Sequence, residues 1–222
     1  MCTKQTNLSS EQLRIINNWK QESIENLGQH FYKINQQGNQ IRVSAYEISD
    51  LTEYKNHWSE MTKIALHLGI HEKGIHNNQI TFRPYLEICN ENDKTFTLIP
   101  MEISTADKPS SVETFPINGG FTDTYYKEKV NRAWMSDDFT PTAGIFYSHN
   151  KDDKKCYRAE NYIHREVIAK LKSEGFPSRI DFYLGLDRGK PKELTNFVVV
   201  LRFVYPTREL FTQYSSPCPS TC

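Results

Sequence analysis

Two runs near the C-terminal end, Arg179 to Asp187 and Asn196 to Tyr205, constrain the fold of this chain more than any other stretch. The first alternates apolar Ile180, Phe182, Leu184 and Leu186 with Asp181, Tyr183 and Gly185, the period-two pattern of a strand with one apolar face. The second is rich in Val and Phe. Antiparallel pairing of Leu186 with Phe197 sets Leu184 beside Val199, Phe182 beside Leu201 and Ile180 beside Phe203. It also sets Asp181 opposite Arg202 on the other face, an opposite-charge cross-strand pair. A slip of one residue would mix the two faces, so the pattern selects this register. The charged loop Arg188 to Thr195 joins the two strands.

A helix is expected before this hairpin, over 159–174. Ile163, Val167, Ile168 and Leu171 share one helical face, Gly175 suits the left-handed end, and Pro177 prevents resumption. With a strand at 144–148, this half reads β-α-β-β. A weaker copy lies earlier. It has a strand at 41–49, then a helix at 51–68 with the stripe Leu51, Tyr54, Trp58, Met61, Ala65 and Leu68, closed by Gly69. Strands follow at 80–89 and 95–104, around the turn Asn90 to Lys94. Pairing Cys89 with Thr95 sets Leu86 beside Leu98, Ile88 beside Phe96 and Pro84 opposite Pro100. Neither proline can donate to a ladder, so a bulge or a sheet edge is expected there.

Outside the two halves, Ser9 and Gln12 fit a capping box. The helix they start carries Leu13, Ile16, Ile24, Leu27, Phe31 and Ile34, with Gly38 closing it. A short helix over Asp123 to Met135 carries Tyr126, Val130 and Trp134. The stretch 104–122, rich in Ser, Thr, Pro and Gly, is a connection, and Asn150 to Lys155 is a solvated charge run. The fold class is α+β, mainly antiparallel sheet with helices packed on one face and duplicated β-α-β-β halves. Residues 1–8 are a flexible tail and 9–206 form a single domain. Its halves, 39–105 and 142–206, are joined by 106–141, and 207–222 is a C-terminal tail.

Composition excludes several functions. Lys plus Arg and Asp plus Glu number 27 each in 222 residues, so there is no basic excess of the kind nucleic-acid binders show. No apolar run is long enough for a membrane span. Five Cys at irregular positions suggest neither a disulfide framework nor a zinc site. A cytoplasmic protein is expected. A mature lipoprotein, with Cys2 as the former lipidation site, is the alternative.

Catalytic motifs are missing. His67, His71 and His76 do not reproduce HExxH, because Ile75 holds the position four residues after His71, and Gly69 and Gly74 interrupt any helix. The expectation is no metal and no cofactor. There is no G-x-S-x-G elbow, and Cys156 between His149 and His164 makes no nucleophile–base pair by proximity alone. Gly185 to Lys190 is neither a Walker loop nor a dinucleotide fingerprint. Arg188, Lys190 and Lys192 at this hairpin tip fit a solvated turn better than an anion site.

What remains is the polar side of the strands. Arg83, Tyr85 and Glu87 alternate away from the apolar face, with Ile99, Met101 and Ile103 expected on their side. Tyr183 and the Asp181–Arg202 pair lie with Val198 and Val200, and Tyr46 and Arg42 occupy the corresponding face of the first strand. Apolar walls with a few polar groups are what a small-molecule pocket needs. An ordinary solvent-facing sheet face explains the same residues. The candidate ligand-binding set is Tyr46, Arg83, Tyr85, Glu87, Tyr183 and Arg202. The reading is a binding module for a small molecule or a protein, of unspecified oligomeric state. The alternatives are an acid–base enzyme using Glu87, Tyr85, Tyr183 or a His, and a non-catalytic structural or oligomerising subunit.

Overall fold

The computed structural model describes residues 8–23, 25–72, 80–90, 95–104, 121–122, 124–149, 156–163, 167–189, 197–213 and 217–219. The turn at 91–94, most of the 104–122 connection, the 150–155 charge run, His76, His164, Lys190 and Lys192 lie outside the described residues.

The chain opens with α1 (Ser10–Gln21), β1 (Tyr32–Ile34), β2 (Gln40–Arg42) and β3 (Ala45–Ile48). Then come α2 (Lys55–Glu60), β4 (Lys63–His67), β5 (Tyr85–Asn90), β6 (Thr95–Pro100), β7 (Glu102–Ile103) and β8 (Phe121–Thr122). After α3 (Thr124–Met135) follow β9 (Tyr147–His149), β10 (Cys156–Ile163), α4 (Ile168–Ser173), β11 (Arg179–Leu186), β12 (Phe197–Val204), β13 (Glu209–Gln213) and β14 (Pro217–Pro219). The architecture is α+β, and the named strand pairs are antiparallel.

Two large sheets form, ordered β14-β10-β4-β5-β6 and β7-β3-β11-β12-β13-β8, with β9 added to β10. Two stretches share the order strand, helix, then three strands: β3-α2-β4-β5-β6 and β10-α4-β11-β12-β13. The leading strands are exchanged: β3 pairs with β11 of the second stretch, and β10 pairs with β4 of the first.

The inner faces of the sheets share one core. Ile180, Phe182, Leu184 and Leu186 and their β12 partners join Ile64, Leu66, Leu86, Ile88 and Ile99. Trp19, Phe31, Phe82 and Phe146 fill it with mutual ring contacts at 4.5 to 6.3 Å, within the range of favourable aromatic pairs. Near it, α2 reaches the turn that follows α4: the Trp58 indole donates to Gly175 O at 2.9 Å. The outer faces are covered separately. α1 places Ile15 and Ile16 against Tyr85 and Leu98. α3 places Val130 against Ala45, Tyr183, Val198 and Val200.

Sequence expectation and structure agree on the β11–β12 ladder, which has the expected register from Arg179↔Val204 to Leu186↔Phe197. The capping box is present, with Ser9 Oγ accepting from Gln12 N and Gln12 Oε1 from Ser9 N. α3 spans the expected residues.

Several expectations are corrected. The helix expected at 51–68 stops at Glu60, and Lys63–His67 is a central strand between β5 and β10. The helix expected at 159–174 begins at Ile168, because Cys156–Ile163 is the strand that pairs with β4. The first helix ends at Gln21, with a short 3-10 turn at Leu27–Phe31 and a strand following. The strand expected at 41–49 is split into β2 and β3, with Trp134 donating to Val43 O at the break. The 144–148 strand is displaced to Tyr147–His149.

The β5–β6 hairpin pairs one residue away from expectation, with Leu86 opposite Ile99 and Ile88 opposite Thr97. Leu98 and Ile99 are both apolar, so alternation alone could not separate the two registers. Pro100 faces Tyr85 on an edge strand, and Pro84 accepts from Met101 N at 3.1 Å. Within the expected 207–222 tail, Glu209–Gln213 pairs with β12 and Pro217–Pro219 with β10.

Candidate functional site

The six expected site residues do not converge. Tyr46 is removed from the polar face altogether. It pairs with Phe182, is fully buried in the main core beside Phe82, and donates to Phe82 O at 3.4 Å. Burial pushes its hydroxyl far above the ordinary value, with the Arg83 charge acting the other way. Arg42, expected with it, stacks over Tyr32, Trp134 and Phe139 and donates to Trp134 O and Phe139 O at the end of α3.

Tyr183 and Arg202 lie together on the outer face of the β11–β12 sheet, under α3. The Arg202 guanidinium is 3.3 Å from Asp181 and 2.8 Å from Glu209, and it donates to the Tyr183 hydroxyl at 3.0 Å. Arg179 closes on the same aspartate at 2.8 Å. Burial pushes the Asp181 carboxyl above its ordinary value, and Arg179 and Arg202 pull it back. The buried Lys127 ammonium sits 4.2 Å over the Tyr183 ring. Ordering comes from α3, whose Asn131 amide bonds Leu184 O at 2.7 Å and Ser44 O at 3.1 Å. This is a buried ion-pair network. Asp181 Oδ1, Arg179 Nε and Arg202 Nε are held in it by charge contacts, without a hydrogen bond among the described residues. Its physical role is to tie the strands together beside α3.

Tyr85 and Glu87 lie on the outer face of the other sheet, a different surface. Cross-strand pairing sets His67 opposite Tyr85, and Ala65 opposite Glu87 with Leu98 on its far side. Ile99, expected beside Glu87, is in the main core instead. The Glu87 Oε2 lies 2.5 Å from His67 Nε2, and its Oε1 lies 4.0 Å from Lys63 Nζ. All three residues are buried. Glu87 Oε1 has no hydrogen-bond partner among the described residues. His67 is the most accessible of the three, its side chain 9% exposed against 1% for Lys63 and 3% for Glu87. Burial pushes the neighbouring Tyr85 hydroxyl up, Glu11 adding to the effect and Arg83 opposing it. Arg83 itself is half-buried, its backbone N–H bonding Gly69 O at 2.8 Å.

Two members of this cluster, Lys63 and His67, were hidden by the helical reading of 51–68. Read as a strand, Lys63, Ala65 and His67 alternate with Ile64 and Leu66, and the polar face appears. A second buried histidine was also missed. His30 has Nδ1 2.5 Å from Thr81 Oγ1 and Nε2 3.2 Å from Glu22 Oε2. No sequence spacing links residues 51 apart, so nothing in the chain announced it. Among the described residues, no group of three or more His, Cys, Asp or Glu could hold a metal ion. None of the described helices is long and apolar enough to cross a membrane.

Comparison with protein-family models gives no match, and neither curated proteins nor solved structures give one. The protein is therefore classed by its own fold, an α+β pair of antiparallel sheets, each with a helix on its outer face.

Proposed function

We propose that the protein is a binding module that takes a small molecule at Glu87, His67 and Lys63. The observation carrying this reading is Glu87 Oε1, a buried carboxylate oxygen with no hydrogen bond among the described residues. Leaving such an oxygen dry costs about 1–3 kcal/mol or more, and a ligand donor placed there recovers that cost. Lys63 balances the carboxylate charge, so the ligand group is a neutral hydroxyl or amide N–H donor. Tyr85, Ala65 and Leu98 supply the apolar surroundings. The expected β-α-β-β halves become two β-α-β-β-β stretches, 45–100 and 156–213, read as an internal duplication on the support of their shared element order and exchanged leading strands.

The test is a thermal-shift screen with a panel of hydroxylated and amide-bearing small molecules. Compounds that raise the melting temperature in a concentration-dependent way should lose that effect in Glu87→Gln and in His67→Gln. Equal shifts in wild type and both variants would remove the site, as would a panel without any response.

A second reading, an acid–base enzyme, rests on the short His67–Glu87 contact. A carboxylate that fixes an imidazole at Nε2 leaves Nδ1 to exchange a proton, the usual arrangement of an oriented general base. Turnover of a bound compound by wild type, abolished in His67→Gln with binding retained, would favour it.

A further inference from the structure

The exposed side of α3 carries a second feature, independent of the Glu87 cluster. Tyr125, Lys129, Arg132 and Ser136 recur at four, three and four residues, so they share one helical face. The opposite stripe, Lys127, Val130, Asn131 and Trp134, is buried against the sheet. Arg188, just beyond β11, forms the far wall of a groove of about 360 Å³ that Glu128 and Ala133 complete. Tyr125 is 75% exposed, the most exposed large apolar side chain among the described residues.

The charges in this groove are unevenly committed. Glu128 pairs with Lys127 at 2.6 Å, and Arg188 with Asp138 at 3.2 Å. Lys129 and Arg132 make no ion pair among the described residues, though they stand on adjacent turns beside Arg188. Lys129, Arg132 and Arg188 outnumber Glu128 along the groove, and with Arg188 paired to Asp138 the uncompensated positive charge rests on Lys129 and Arg132, in a chain whose formal net charge is zero. Like charges on adjacent helical turns repel, and an oxyanion between them turns the repulsion into attraction. A guanidinium fork matches a planar or tetrahedral oxyanion, and the exposed Tyr125 ring offers a face for stacking.

We infer that the groove binds a small aromatic oxyanion, one ring bearing a phosphate or a carboxylate. The anion sits between Lys129, Arg132 and Arg188, and the ring lies on Tyr125. The volume suits one ring with its acid group, and falls at the lower end of small-molecule sites.

The experiment is isothermal titration of the full chain with phenyl phosphate and with benzoate, using inorganic phosphate as the ring-free comparator. Saturable binding of at least one aryl anion, tighter than inorganic phosphate, is expected. The paired substitution Lys129→Gln with Arg132→Gln should weaken it about tenfold or more. Tyr125→Ala should erase the advantage over inorganic phosphate. All three positions border the groove on the helix exterior, and unchanged melting temperatures would verify folding. Glu87→Gln should leave this binding intact, which separates it from the site proposed above. The inference is overturned if neither aryl anion binds, if the paired substitution leaves affinity unchanged, or if inorganic phosphate binds as tightly.

Discussion

Asp181 faces Arg202 across the β11–β12 ladder, and the same guanidinium bridges on to Glu209 of β13. One arginine therefore ties three strands together, with the Asp181 carboxylate buried and that of Glu209 largely so. Replacing Arg202 with Met strands them. The expected loss is about 3–5 kcal/mol, the cost of breaking a buried pair by removing one partner. Asp181→Asn combined with Arg202→Met should cost less than the sum of the single changes. Urea denaturation of the four proteins measures the coupling, and strict additivity would show that the two side chains do not act as a unit.

Gly185 is required by the close approach of α3. A Cβ there would lie 2.7 Å from Val130 Cγ2 and 2.8 Å from Val198 Cγ2, well inside normal contact. Gly185→Ala should destabilise by about 1–3 kcal/mol, the usual range for overpacking. Adding Val130→Ala opens the space on the helix side, so the double variant should be more stable than the two single losses predict. Thermal and chemical melts read both.

Trp19 sits where α1 enters the main core, fully buried against Phe31, Phe82 and Phe146. Trp19→Ala is expected to cost about 3–5 kcal/mol, and Trp19→Phe much less, because the smaller ring keeps part of the contact. A similar cost for both would mean the indole N–H, not ring packing, dominates.

Asp50 supplies the pH prediction. Its carboxylate accepts from Thr52 N at 2.9 Å, and the Thr52 backbone and hydroxyl hold its pKa below the ordinary 3.8. Its folded value is therefore lower than its unfolded one. The stabilisation is present above 3.8 and is lost as pH falls through the folded value. Carboxyl-carbon NMR should show Asp50 titrating below the ordinary range. Asp50→Asn keeps a turn-forming acceptor without the titration, so its acid sensitivity should be shallower than that of wild type.

The legible parts of this molecule are those where neighbouring residues carry contrasting chemistry. Along β11, large apolar residues alternate with Asp181, Tyr183 and Gly185, and the Asp181–Arg202 pair marks the register against the apolar run of β12. The capping box of α1 and, of the α3 stripe, the buried Val130 and Trp134 were local signals too, while Tyr126 is only partly buried. The candidate site was legible in part. Glu87 and Tyr85 were marked as polar strand residues, and they do share a face. Their partners His67 and Lys63 were concealed, because Leu51 to Leu68 satisfies a helical period as well as it satisfies a helix followed by a strand.

The sequence by itself determined an α+β chain, its strongest hairpin with a unique register, and the beginning of its first helix. Each follows from side-chain periods of a few residues and from backbone groups satisfied locally. Tertiary structure alone decided that Lys63–His67 is a strand, because its backbone finds partners on both β5 and β10. It decided which polar residues are sealed by α3, and it set Tyr46 in the core. It also brought Glu87, His67 and Lys63 to one buried point. Those outcomes depend on which sheet each strand joins and which helix covers it, interactions between residues far apart in the chain that no local period encodes.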